Sequence, residues 1–254
     1  RTPLYFQALD ARGRAVQTMR SWSTLQPGEV ASCVGCHDQT NQAPPAWSVP
    51  LAGGRPRKLG PAPGSAHGGF SFAREIQPIL DRHCVTCHHH REPVLAAATG
   101  GPPVLAQDKA ARSPEERRAF SLLGETVRDE PAGRAWSDAY LTLTQAARDD
   151  KGKGAFRGRP DGAMVRWHGS QSVPTPLPPG FSGAVRSPLL EMLDAGHYGV
   201  RLTPAEFRAL ACWIDLFVPY CGDYAEANIW TAGEMEKFRR FEAKRLRFDD
   251  AASP

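Results

Sequence analysis

A mainly α-helical, loop-rich fold with a short N-terminal β-hairpin is predicted from three observations. Of 254 residues, 23 are proline and 24 are glycine, a proline share well above average, so long loops must interrupt the regular elements. Two segments share the grammar of a capped helix: Ser113-Pro114 with Glu116, and Thr203-Pro204 with Glu206. Near the start, β-prone residues flank a single glycine turn. A hydrophobic share of 41% is enough to bury a sizeable core.

The elements follow in order. LYFQALDARGRAVQTMRSW, Leu4 to Trp22, reads as a hairpin turning at Asp10-Ala-Arg-Gly13. Two strands alone are marginal, so they must pack on something else. The run from Gln42 to Gly69 is too rich in proline and glycine for regular structure, and reads as a linker or as a wrap around a bulky group. In FAREIQPILDRHC, Phe72, Ile76, Ile79 and Leu80 share one helical face and the helix delivers Cys84 at its end. Pro78 kinks that helix or marks a new first turn. SPEERRAFSLL is expected to be helical from Ser113. LTPAEFRALACWIDLF is expected to line one face with Phe207, Leu210, Ala211, Ile214 and Phe217, and to stop at Pro219. A last amphipathic helix starts near Thr231 and runs through Met235, Phe238, Phe241 and Leu246. DDKGKGAFRGRPDGA and SVPTPLPPGFSG are loops.

A net charge of +4 does not demand a nucleic-acid partner, and part of the surplus sits in KFRRFEAKRLR. No stretch approaches the roughly 18 apolar residues of a membrane-spanning helix. No signal peptide is visible, and RTPLYFQALD looks like the middle of a folded element. The chain is therefore read as mature or as the C-terminal part of a longer protein.

Four of the six cysteines fall in C-x-x-C-H: Cys33, Cys36, His37 and Cys84, Cys87, His88. This spacing is the attachment signature of c-type haem: both sulfurs form thioethers to the porphyrin, and the adjacent histidine is placed under the iron. A dithiol redox motif would need a thioredoxin-like βαβ context, which is absent. A shared zinc is disfavoured by the 47 residues between Cys36 and Cys84 and by the histidine after each pair. Two covalently attached c-type haems are expected, which extends the fold class to a cytochrome c-like haem domain. Two regions follow: 1–69 with the hairpin, the first motif and the wrap, and 70–254 with the second motif and the C-terminal helix.

Haem attachment of this type takes place outside the reducing cytoplasm, so a periplasmic or extracellular location is expected. In that setting Cys212 and Cys221 are expected to form a disulfide across a helix end. Each iron can take a sixth ligand from histidine or methionine. For the second haem, His197 stands out in LLEMLDAGHYGV, where Gly196 and Gly199 would let the backbone approach closely; a surface loop residue is the alternative. For the first, Met19, His67, His168 and an open site all stand. His83, His89 and His90 are read as solvent-facing or as partners of haem propionates, with a small zinc or copper site from the tract as another possibility. Trp22, Trp213 and Phe217 are candidate haem walls, and Arg20 a candidate propionate partner.

YFQALDARGRAVQTMRSWSTLQPGEVASCVGCHD resembles the haem-bearing part of the hydrazine synthase alpha subunit family. So do GFSFAREIQPILDRHCVTCH, LLEMLDAGHYGVRLTPAEFRALACWIDLFVPYCGDY and IWTAGEMEKFRRFEAKRL. The second half is also similar to planctomycete-type cytochrome c domains with I-x-P-I-L-x-x-x-C-x-x-C-H. The resemblance implies a dihaem region that in longer relatives follows a β-propeller, with His197 opposite His88 on the second iron. In that family the first haem takes a tyrosine shortly after its motif while the motif histidine serves a zinc. Here HDQTNQAPP has no tyrosine, which argues against hydrazine chemistry and leaves His37 as an ordinary iron ligand.

The function expected is a dihaem c-type cytochrome relaying electrons, as a module or subunit of a larger redox assembly, with redox proteins or neighbouring cytochrome subunits as partners. The alternative is a haem enzyme acting on a small nitrogen or oxygen species at a five-coordinate first haem. A third class is a structural role in which haems staple a loop-rich chain.

Overall fold

The computed structural model describes residues 2–25, 29, 69–89, 120–149, 151–169 and 177–251, and more of them are helical than extended. The first ribbon contains β1 (Thr2–Leu4), β2 (Gln7–Leu9), β3 (Ala15–Thr18) and β4 (Ser23–Leu25). β2 and β3 form the expected antiparallel hairpin with Gln7 opposite Thr18, and β1 pairs with β4 to lengthen it. The turn explains its own residues. Gly13 adopts φ +80°, and the Asp10 carboxylate accepts from the Arg12 and Arg14 backbone N–H groups, each at 2.9 Å.

The next described segment winds as wide π-type turns over Phe72–Ile76 and continues as α1 (Gln77–His83). Pro78 lies in the first turn of α1, where its missing N–H costs nothing. It therefore marks a new start, one of the two outcomes read from the sequence. Phe72, Ile76, Ile79 and Leu80 are all buried. Beyond it, β5 (Thr126–Asp129) and β6 (Arg134–Ser137) form a second hairpin, which sequence reasoning did not anticipate. Ser137 then caps α2 (Asp138–Leu143) by accepting from the Tyr140 N–H at 3.3 Å. The helix expected from Ser113 is not present where it can be seen: 120–123 are non-helical, and 113–119 lie outside the described residues. The Leu122 N–H instead donates to the His88 carbonyl at 2.9 Å.

α3 (Pro188–Ala195) ends at Gly196, and α4 (Pro204–Asp215) opens with the full Thr203–Glu206 capping box. α4 ends before Pro219 is reached. Phe217 and Val218 both take left-handed φ, +66° and +50°, and turn the chain at the helix end. Such values are strained for non-glycine residues, most of all for β-branched valine. Leu210, Ala211 and Ile214 are buried as expected, while Phe217 stays part-exposed. α5 (Ala232–Ala251) starts after Thr231, whose hydroxyl accepts from the Glu234 N–H at 3.3 Å. On its apolar face Phe238 stacks on Tyr224 at 5.0 Å, but Phe241 and Leu246 are exposed.

The core gathers Phe72, Ile76, Leu80, Leu143, Leu190, Leu210, Trp213 and Ile214. Burying each such side chain is worth about 1.5–3 kcal/mol. Trp213 is a core residue rather than a haem wall. Its ring is fully buried 5.1 Å from Phe72, and its indole N–H donates to the Pro219 carbonyl at 3.1 Å. Trp22 is 71% exposed, and the first motif it was expected to serve lies outside the described residues.

The ribbon is held to this core by polar contacts. Asp215, at the end of α4, accepts from the Ala15 N–H at 2.7 Å and from the Ala184 N–H at 2.8 Å. Gln7 donates to the Asp215 carbonyl at 2.8 Å, and Arg12 pairs with Asp194 while its guanidinium lies 4.7 Å from the Phe207 ring.

Candidate metal centre

Cys84 caps the C-terminus of α1, its N–H donating to Leu80 at 2.8 Å. The chain then closes on itself. The N–H groups of Cys87 and His88 both donate to the Cys84 carbonyl, at 3.1 and 2.9 Å. A turn this tight keeps two thiols and one imidazole close together. Phe120 meets the His88 ring edge-on at 5.2 Å.

His197 opens a second tight turn. The Val200 N–H donates to the His197 carbonyl at 2.8 Å, and the two central residues, Tyr198 and Gly199, have φ of +45° and +80°. Two left-handed residues in succession define a type I′ turn, which favours glycine strongly at the second place. Gly196 has φ +96°, and a Cβ at Gly196 or Gly199 would meet no described atom within 4 Å. These glycines therefore supply backbone conformation, and no described protein atom packs closely against either.

The two turns bring His88 and His197 together across 109 residues of chain. Their ring centroids are 6.0 Å apart and their planes differ by 15°. Two metal–imidazole bonds of about 2 Å each, plus about 1 Å from each bound nitrogen to its ring centre, sum to about 6 Å. The centroid separation matches that sum, and the two rings lie nearly parallel. Among the described residues no three His, Cys, Asp or Glu side chains converge as a metal cluster, so these residues assemble no protein-only site of the zinc type. A haem iron needs only two protein ligands. Burial, with a smaller contribution from Cys87, pushes the Cys84 thiol up to about 11. Redox-active C-x-x-C pairs show the opposite shift. The residues fit a covalently held haem.

The other histidines separate. His83 is not a solvent-facing bystander: its Nε2 lies 3.1 Å from Glu206, its side chain is largely buried, and Arg82 pairs with the same carboxylate oxygen. Glu206 was read from the sequence as a helix cap only, and its second set of partners has no sequence signal. His89 Nδ1 is enclosed with no hydrogen-bond partner. His90, His67 and the entire first motif, Cys33, Cys36 and His37, lie outside the described residues. His168 lies in a cleft between β3 and residues 177–182, together with Arg20, with Phe217 6.1 Å from its ring. Burial, then the charge of Arg20, lowers its pKa and favours the neutral form a metal ligand needs. Met19 leaves the hairpin after β3, its N–H bonded to Phe6.

Cys212 and Cys221 are not bridged. Cys212 is carried on α4 near Tyr5 and Asp215, whereas Cys221 follows the left-handed reversal and sits near Tyr140 and Tyr220. The expected disulfide is corrected on this ground. Burial, followed by the Asp215 charge, pushes the Cys212 thiol up to about 11.

Residues 1–38 match the family model of the hydrazine synthase alpha subunit middle domain. The match spans the ribbon and all of the first C-x-x-C-H motif, and it relates this segment to that family. The second motif and His197 lie beyond it. No curated protein and no solved structure matches the chain. Among the described residues no helix is long and apolar enough to cross a membrane.

Proposed function

We propose that the chain is a dihaem c-type cytochrome that relays electrons, as a module or subunit of a larger periplasmic or extracellular redox assembly. The observation that carries this reading is the near-parallel His88–His197 pair at 6.0 Å beside Cys84 and Cys87. Cys84 and Cys87 would hold the second porphyrin by thioethers, and His88 and His197 would hold its iron. Haem supplies a one-electron couple when bound. The chain's own part is to hold both imidazoles on tight hydrogen-bonded turns and to keep the Cys84 side of the site partly buried. Axial histidines that need not move between oxidation states suit electron transfer. Cys33, Cys36 and His37 would hold the first haem by the same chemistry.

The family match over residues 1–38 favours a second reading, a haem enzyme acting on a small nitrogen or oxygen species at a five-coordinate first haem. EPR and absorption spectra of the holoprotein separate the two. Two low-spin haems support the relay; one high-spin ferric haem supports the enzyme. His197→Ala should convert one haem from low to high spin, and an unchanged spectrum would remove His197 from the site.

A further inference from the structure

We infer that Glu206 is the positioning residue of this centre, fastening the two ligand-bearing segments to each other and thereby setting the angle between the two imidazole planes. The inference rests on the bis-histidine reading above. His88 and His197 belong to segments far apart in sequence, and each hangs from a different helix end: the C-terminus of α1 and the loop into the N-terminus of α4. Glu206 touches both ends with different oxygens. Oε1 receives His83 Nε2 at 3.1 Å together with the Arg82 guanidinium, both at the last turn of α1 and immediately before Cys84. Oε2 receives the Thr203 N–H at 2.8 Å and its hydroxyl at 2.9 Å, six residues after His197.

The carboxylate is well placed for this. Its side chain is 11% exposed, so its charge-assisted bonds are only partly screened by solvent. The Thr203 backbone N–H is the largest influence on it, and with His83 and the Thr203 hydroxyl it outweighs burial to hold the carboxyl at about 2. It stays charged throughout the physiological range. An ordinary capping box needs only Oε2 and Thr203. The contacts of Oε1 tie α1 to α4 and are not part of helix capping.

The variants separate positioning from capping. Glu206→Ala removes both sets of contacts, Glu206→Gln keeps a cap-competent side chain, and the double variant Arg82→Ala/His83→Ala removes only the α1 side. Each is prepared as the haem-loaded full chain, with folding checked by circular dichroism. Near-parallel imidazoles give a rhombic low-spin EPR signal, and rotation of one plane shifts it toward a highly anisotropic form. Glu206→Ala and the double variant should both move or split the signal of the second haem. Both should also admit carbon monoxide to the ferrous second haem about tenfold faster, as a loosened His197 is displaced. Glu206→Gln keeps one oxygen for the Thr203 cap but turns an NH2, which cannot accept, toward Arg82 and His83, so it should shift the signal as the double variant does. If Glu206→Ala changes the signal and the double variant does not, Glu206 is only a helix cap and the inference is overturned. It is equally overturned if none of the variants changes either readout while His197→Ala still turns the second haem high spin. If His197→Ala itself leaves the haem low spin, the ligand assignment fails instead.

Discussion

Asp215→Asn tests how the N-terminal ribbon, which precedes the first C-x-x-C-H motif in the chain, is held against α4. Asp215 is 5% exposed, and its two oxygens accept the Ala15 and Ala184 N–H groups at 2.7 and 2.8 Å. Burial raises its carboxyl from 3.8 to about 6, with the two N–H groups and Arg14 opposing and Asp10 adding to the rise. The folded protein therefore holds a proton here more tightly than the unfolded chain. Its contribution to stability is complete below about pH 4 and is lost as pH rises through about 6. A difference of about two pK units corresponds to about 3 kcal/mol between these limits. Asparagine does not titrate, and its NH2 faces one of the two donors, at a cost of about 1–3 kcal/mol that is independent of pH. The variant should thus be less stable than the parent near pH 4, and the gap should close or invert by about pH 7.5. Denaturant unfolding of both proteins by far-UV circular dichroism across this range measures the difference directly. A gap that stays constant, or widens toward alkaline pH, would refute the reasoning.

Two further outcomes follow from packing. A Cβ on Gly222 would lie 2.5 Å from the Gly69 carbonyl oxygen and one on Gly69 would lie 1.8 Å from the Gly222 oxygen, so the chain before α1 and the chain after α4 touch backbone to backbone. Gly222→Ala should lower stability by about 1–3 kcal/mol, read as a shift in the denaturation midpoint. Asp129 is wholly buried: burial raises its pKa, but the Trp136 indole, the Phe156 N–H and the Arg148 guanidinium together bring it below the ordinary value. Asp129→Ala strands those donors and should cost about 3–5 kcal/mol; a loss below about 1 kcal/mol in the same assay would show that the network is not integral to the fold.

Local chemistry was readable residue by residue. The hairpin turn at Gly13, the restart at Pro78 and the cap at Thr203 each depend on partners within a few positions, so the chain order itself encodes them. Ser113-Pro114-Glu115-Glu116 has the same capping grammar, yet residues 120–123 are not helical. The Leu122 N–H bonds to the His88 carbonyl, a tertiary contact with no local sequence signal. Asp215 did leave a trace, an acidic residue inside the apolar run CWIDLF, but nothing nearby in sequence points to Ala15 as its partner, 200 residues away.

The sequence by itself determined which side chains the proposed haem reading rests on, because a C-x-x-C-H motif places two thiols and an imidazole within five consecutive residues. Tertiary structure decided which distant groups meet. It put Glu206 between α1 and α4, enclosed Trp213 in the core, and carried Cys212 and Cys221 to different neighbours, whereas the meeting of His197 with His88 was already implied by the resemblance. The physical reason is the range of the forces that decide each outcome. Turn and cap geometry is settled over a few bonds, whereas the meeting of remote segments is settled by which apolar faces can be buried together.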